Sequence, residues 1–240
     1  MRVLNPRPAR QAQPLSQALR EAGHEVVELP LLAIEPLALD AVARAQVLAL
    51  DRYDGIVFVS ANAARYAVAT ISDYWPQWPH PMPCVAVGQA TAAVLEAEGL
   101  RVHIAAQEDS EGMLALPILH DVAGQRWLVC RGEDGRELLA TTLRERGAEV
   151  DTLALYKRFL PDGARTDWAS CYPRPEVVLL SSAMIWQHWQ QIAGSEATTP
   201  WLITVSQRLA EAVRAAGATR VICADGAQPM HWLKALTPLL

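Results

Sequence analysis

The side chains that could do chemistry in this sequence sit in short polar turns, each behind an apolar, strand-like run. The turns are Asn5–Pro8, Ser60–Asn62, Gly88–Thr91, Arg131–Arg136, Ser181–Ser182 and Ser206–Arg208. A helical stretch follows each one, so free backbone N–H groups and the helix dipole favour an anion there. Arg7, Arg131, Arg136 and Arg208 add planar forks suited to carboxylates or phosphates. Ser60, Ser181 and Ser206 also have a plainer reading as helix N-caps. Taken together, the turns read as a cleft for a polyanionic ligand. No general base of obvious type accompanies them, so binding and shaping count for more than proton transfer. Tyr156 ends a strand-like run and precedes Lys157-Arg158. It is either ordinary core or a cleft residue whose hydroxyl delivers or receives a proton.

Other chemistries lack their residues. The histidines (24, 80, 103, 120, 188, 231) are scattered, with no HxxxH or HExxH spacing. Four cysteines lie at least 41 positions apart, which removes zinc-ribbon and CxxC redox motifs. There is no GxSxG elbow and no GxxxxGK[ST] loop, and RGEDGRE (131–137) is not GxGxxG. No metal or nucleotide site is therefore expected. The net charge is −5 and the pI about 5.7, which disfavours nucleic-acid and anionic-membrane partners. All but Lys157 and Lys234 of the 21 basic residues are arginines. A compositional bias would produce this, and so would a need for forks that grip anions. MRVLNPRP carries no signal-peptide apolar stretch, and no run approaches the roughly 18 residues of a membrane span. A cytoplasmic, reducing location is expected.

The elements that must position these turns repeat. At 240 residues, with 51% hydrophobic and 20% charged residues, the chain has material for one large or two small globular domains. Residues 2–32 align without a gap on 126–156, sharing among others Leu15, Leu19, Gly23 and Leu29 with their counterparts. DGIVFVSANA (54–63) resembles PEVVLLSSAM (175–184), pairing Ser60 with Ser181. The segment 83–102 matches 200–221. Within each unit a buried strand (Ile56–Val59, Val85–Val87, Val177–Leu180, Leu202–Val205) leads to a turn and an amphipathic helix. Glycine closes the helix, at Gly23, Gly99, Gly147 or Gly217. Alternating strand and helix predicts α/β architecture with two similar doubly wound parallel-sheet domains. Sequential domains (1–122 and 126–240) and an insertion both fit the order of units. Over-long strands at 25–37 and 149–159 favour the insertion, with 1–35 and 160–240 as one domain and 38–155 as the other. Trp75–Pro83 reads as a proline-rich surface connector.

Arg7-Pro8, AGHEVVELPLL (22–32), FVSANA (58–63), AVGQATAAVLEAEG (86–99), RGEDGRELLATTLRERGAEVDTLALYKR (131–158) and LLSS (179–182) together resemble the uroporphyrinogen-III synthase family. The resemblance spans nearly the whole chain. It implies two α/β domains, one inserted in the other, joined by a two-stranded ladder with a cleft between them. It implies a linear tetrapyrrole substrate, hydroxymethylbilane. The enzyme removes its terminal hydroxyl, inverts the last pyrrole through a spiro intermediate and closes the ring without a cofactor. Orientation carries most of such a catalysis, because the bilane cyclises unaided to the wrong isomer. Arg7, Ser60, Asn62, Thr91 and Tyr156 fall on matching family positions, with Tyr156 as the candidate to assist hydroxyl departure. Pro6 stands where a hydroxyl residue is usual, and Ser206-Gln207-Arg208 replaces a smaller-residue turn. A monomer acting on a small-molecule linear tetrapyrrole is expected. The rival reading is a non-catalytic two-domain protein that clamps a polyanion. A sugar-nucleotide transferase with two Rossmann-like halves is a third, though such enzymes usually need a longer chain.

Overall fold

Short β-branched runs alternate with amphipathic stretches, so each strand needs a helix on either side to dry its two faces. In the computed structural model, residues 1–79 and 81–239 are described, apart from the side chains of Ala9 and Arg10. His80, in the proline-rich connector, and Leu240, at the end of the expected first domain, lie outside the described residues. The chain runs β1 (Arg2–Asn5), α1 (Ala9–Glu21), β2 (Glu25–Glu28), β3 (Ala33–Pro36), α2 (Ala41–Leu48), β4 (Gly55–Phe58), α3 (Ala61–Ser72), β5 (Cys84–Ala86), α4 (Gln89–Glu96) and β6 (Val102–Ile104). It continues through α5 (Ser110–Leu114), β7 (Arg126–Gly132), α6 (Leu138–Glu145), β8 (Glu149–Phe159), α7 (Ala164–Ser170), β9 (Val177–Leu180), α8 (Ala183–Ala193), β10 (Trp201–Thr204), α9 (Gln207–Ala215), β11 (Val221–Cys223) and α10 (Pro229–Leu236).

Two compact units result, Met1–Ile34 with Phe159–Leu240 and Glu35–Arg158. The first contains a sheet ordered β11-β10-β9-β1-β2. The second sheet is ordered β3-β8-β7-β4-β5-β6. The pairings β1–β2, β1–β9, β9–β10, β10–β11, β4–β5, β5–β6, β4–β7 and β7–β8 are all parallel.

Residues 25–37 differ from the single long strand expected. β2 lies in the first sheet and β3 in the second, with Leu29–Leu32 between them. Pro30 has no N–H to continue a ladder. The intervening backbone is held instead by Leu29 N–H to Asn5 O (3.3 Å) and Leu31 N–H to Pro6 O (2.9 Å). His188 adds a ring nitrogen, Nδ1, 2.5 Å from Leu31 O. β8, by contrast, is one continuous strand of 11 residues.

The pleat divides the cores. Val178 and Leu180 pack with Leu4, Trp168 and Trp189 on one face of the first sheet. Val177 and Leu179 pack with Val3, Leu15, Leu19 and Trp232 on the other. In the second unit Val57, Val85, Trp127 and Val129 pack with Met113, Leu139 and Leu143. Gly23 and Gly147 take φ of +83° and +88°, a region that costs other residues a Cβ clash. Each completes the paired bonds that close a helix: Gly23 N–H to Arg20 O with His24 N–H to Leu19 O, and Gly147 N–H to Arg144 O with Ala148 N–H to Leu143 O.

Two predictions arise from this core. Cys84 and Cys130 are fully buried in β5 and β7, and burial pushes the Cys84 thiol up to about 12 and Cys130 in the same direction. Cys171 and Cys223 are only partly covered. A thiol reagent added to the native protein at neutral pH will titrate the latter pair first. The former pair will react only on unfolding; rapid reaction of all four would contradict the packing.

At the start of β8, Asp151 Oδ2 accepts Tyr53 Oη at 2.7 Å and Arg126 Nη2 at 2.7 Å. Burial works to raise the Asp151 carboxyl, but these bonds outweigh it and hold the group below the ordinary carboxylate range. Stability from this cluster is present above the unfolded carboxylate pKa of about 3.9 and is lost as pH falls through the lower folded value. Asp151→Asn should therefore lose about 1–3 kcal/mol at pH 7, with the deficit shrinking below about pH 4. Denaturant melts at both pH values measure it.

Candidate active site

In parallel sheets the turns leaving the carboxyl ends of strands collect ligands, because helix N-termini open there. Each unit gathers its own set. In the second unit β4 runs into Ser60, whose Oγ caps α3 by accepting Ala63 N–H at 3.0 Å. The same Oγ lies 3.0 Å from Tyr156 Oη, near the end of β8. Ser60 and Tyr156, far apart in sequence, are thus brought into one hydrogen-bonded pair. Ser60 is half-buried and Tyr156 is 2% exposed.

A break in the β7–β8 ladder aims this tyrosine. Arg131 pairs with Ala154, but Gly132 pairs with Tyr156, so β8 carries one extra residue there. Such bulges redirect a side chain. Glu133 N–H then bonds Tyr156 O at 2.8 Å.

The other expected residues of this unit vary in what they touch. Asn62 Oδ1 accepts Arg65 Nη1 at 3.1 Å. Thr91 is buried in the first turn of α4. That helix start already meets an internal carboxylate, since Gln89 N–H donates to Glu108 Oε1 at 3.2 Å. Arg131 braces its own loop, with Nη1 donating to Gly135 O at 2.7 Å and Nη2 2.5 Å from Glu137 Oε1. Its Nε is buried without a partner. Arg136 is exposed.

In the first unit, Asn5 at the end of β1 is buried and donates from Nδ2 to Ala12 O (3.2 Å) and Ser16 Oγ (3.0 Å). This anchors the turn that carries Arg7. Arg7 Nη2 donates to Ala227 O at 2.9 Å, and its guanidinium lies 5.5 Å from the Trp232 ring centre. Trp232 Nε1 donates to the same carbonyl at 3.1 Å. Burial pulls the Arg7 pKa below the ordinary guanidinium value. Ser206 caps α9 through Leu209 N–H at 3.3 Å, and Arg208 beside it is exposed.

The serine turn after β9 differs from expectation. Ser182, not Ser181, caps α8 by accepting Ile185 N–H at 3.2 Å. In a Ser-Ser pair the capping member depends on where the first helical N–H falls, and the strand extends through Leu180. The residues that sequence reasoning missed are the supporting ones, Ala227 and Trp232 behind Arg7 and Glu108 at α4. Their contacts join distant segments, and neither spacing nor composition marks them.

Two parallel α/β units, each with arginine-bearing and serine-capped turns at its strand ends, place the chain among two-unit α/β proteins of the doubly wound class. The chain matches the family model described as uroporphyrinogen-III synthase HemD over residues 13–234. It is 31% identical to the uroporphyrinogen-III synthase of Escherichia coli (strain K12), an alignment covering 98% of this chain and 100% of that one. It is 33% identical to the enzyme of that name from Proteus mirabilis, over 75% of this chain and 92% of the other. Among solved structures, a mutant uroporphyrinogen III synthase from the extremely thermophilic bacterium Thermus thermophilus shares the fold with a TM-score of 0.69 and 18% identity, covering 99% of each chain. The Helicobacter pylori 26695 protein does so at a TM-score of 0.63 and 14% identity, over 100% of this chain and 99% of that one. The chain belongs to the uroporphyrinogen-III synthase family. Its activity is that of a cyclising lyase of tetrapyrrole biosynthesis, acting on a small-molecule tetrapyrrole. No helix among the described residues is long and apolar enough to cross a membrane.

Proposed function

We propose that the Tyr156–Ser60 pair supplies the proton on which the terminal hydroxyl of hydroxymethylbilane departs as water. Polar turns hold the substrate's carboxylates meanwhile. The observation that carries this reading is the 3.0 Å contact between Ser60 Oγ and Tyr156 Oη. The pair owns two hydroxyl protons, and only one of them can lie between the two oxygens. The other is left to point at a leaving group. Ser60 is fixed by its bond to Ala63 N–H, so the pair is oriented before substrate arrives.

The carboxylate holders fall into two kinds. Arg136 and Arg208 are exposed, with no side-chain partner among the described residues, so their whole forks are open to a carboxylate. Arg7 and Arg131 commit part of theirs to backbone carbonyls and offer the remainder. Asn62, Thr91, Ser181 and Ser206 complete the turns with amide and hydroxyl groups. The reaction needs no metal or cofactor in this scheme, since the departing group requires only a proton and the electron-rich pyrrole drives it out. We read the functional domains as 1–35 with 160–240, and 38–155. The division of β1, β2 and β9–β11 from β4–β7 between two sheets supports this. A cytoplasmic monomer completes the reading.

Ser60→Ala tests the pair against a matched control. Both Ser60 and Ser182 cap a helix, and loss of either cap costs about 1 kcal/mol. Only Ser60 has the tyrosine. Ser60→Ala should lower kcat about 10-fold, whereas Ser182→Ala should lower stability alone. Equal kinetic effects in the two variants, or none in Ser60→Ala, would overturn the reading.

A further inference from the structure

We infer that Tyr66 is a positioning residue for Tyr156, acting with the glycine at the β7–β8 bulge. This rests on the proton-donor role of Tyr156 proposed above. Tyr66 lies on α3, the helix that Ser60 caps. Its ring stacks on that of Tyr156, with centroids 5.6 Å apart and planes 26° from parallel. Offset stacks of this spacing are attractive and directional. The contact therefore ties the Tyr156 ring to the same helix that fixes Ser60 Oγ. One rigid element sets both ends of the 3.0 Å pair.

Gly132 supplies the second restraint. A Cβ built there would lie 2.8 Å from Tyr156 Cε2 and Cζ and 3.2 Å from Oη. No real Cβ is tolerated at the shorter distance, so the ring occupies the volume that any other residue would fill. The register shift falls at this residue, which faces Tyr156 directly across the ladder. Arg158 adds a cation 5.8 Å from the ring centre. The ring is thus held from α3, β7 and β8 together, while among the described residues its hydroxyl hydrogen-bonds Ser60 alone. The stack fixes the face of the ring, and the missing Cβ at the bulge leaves room for its hydroxyl-bearing edge.

Nothing else in the mechanism gives Tyr66 a task. Its influence should run through the orientation of Tyr156, so it should appear in turnover and not in substrate affinity. Tyr66→Leu keeps bulk but loses the stack. It should lower kcat about 3- to 10-fold with KM within twofold of wild type. Tyr66→Phe keeps the stack and should restore turnover to within twofold of wild type. Gly132→Ala pushes the ring directly and should resemble Tyr66→Leu.

The deciding experiment is a double-mutant cycle on full-length protein, read as kcat and KM with folding checked by circular dichroism. Tyr66→Leu in a Tyr156→Phe background should cost less than twofold in kcat, because the hydroxyl it positions is already gone. If Tyr156→Phe alone turns over like wild type, the proton-donor reading fails and takes this inference with it. If Tyr156→Phe is slow but Tyr66→Leu is not, the inference alone fails. It also fails if the two effects multiply, or if Tyr66→Phe is as slow as Tyr66→Leu. Should Tyr66→Leu not fold, Gly132→Ala in the same cycle replaces it, with the same outcomes deciding.

Discussion

Replacing Tyr156 by phenylalanine is expected to lower kcat about 10- to 100-fold and to leave KM near wild type. The change removes one hydroxyl and keeps the ring that stacks on Tyr66 and fills the space at Gly132. Ser60 Oγ retains its bond from Ala63 N–H, so the α3 cap survives. What disappears is the hydroxyl proposed to protonate the departing group. General acids contribute about 10²–10⁴-fold in typical enzymes, and less for a leaving group already expelled by an electron-rich pyrrole. Because the hydroxyl matters only as the C–O bond breaks, ground-state binding should not change. Steady-state kinetics on the folded variant decides. Wild-type turnover would remove Tyr156 from the chemistry, and a rise in KM alone would reassign it to binding.

Arg7→Ala is expected to do the reverse, raising KM about 10- to 100-fold with a smaller change in kcat. A guanidinium–carboxylate contact persists from bound substrate to transition state, so its loss weakens both alike. Arg7 is suited to such a role because its position is set in advance. Asn5 anchors the turn from inside, Ala227 O accepts one N–H, and the Trp232 ring lies beside the guanidinium. One edge of the fork is spent on that carbonyl while the rest remains for a ligand. Trp232 Nε1 also donates to Ala227 O, so the carbonyl keeps a partner in the variant and folding should hold. Arg7→Lys should recover little, since an ammonium cannot reproduce the planar fork. An unchanged KM in folded Arg7→Ala would leave the arginine as a brace for the 225–228 turn.

The fold was legible because its signals are local. Apolar runs such as Ile56–Val59 and Val177–Leu180, with glycines closing each helix, carry the period and the punctuation of parallel α/β units. The repeat between 2–32 and 126–156 shows two such units without any knowledge of contacts. The break between β2 and β3 was harder to see. Both halves are extended and β-branched, and only the missing N–H of Pro30 separates them. Individual site residues were less legible still. Ser60 and Ser206 announce themselves as caps, yet nothing in the serine pair 181–182 says which one caps α8. Tyr156 gains its neighbours through a bulge at Gly132, and a one-residue irregularity in a ladder has no sequence signature beyond a glycine. Ala227 supports Arg7 from 220 positions away. Glu108, which occupies the α4 start, is one acidic residue among 26 with no motif around it. Partners defined by long-range packing are invisible to pattern, because their selection depends on shape and not on period.

The measurement closest to the central claim is the isomer composition of the product. Hydroxymethylbilane is generated in situ, the purified protein is added without metal or nucleotide, and the porphyrinogens are oxidised and separated. The account predicts that type III product replaces the type I isomer formed spontaneously. It also predicts that Tyr156→Phe makes the same isomer more slowly, because orientation on the turns and not the proton sets the regiochemistry. Product that remained type I in the presence of folded wild-type protein and an active bilane supply would contradict it.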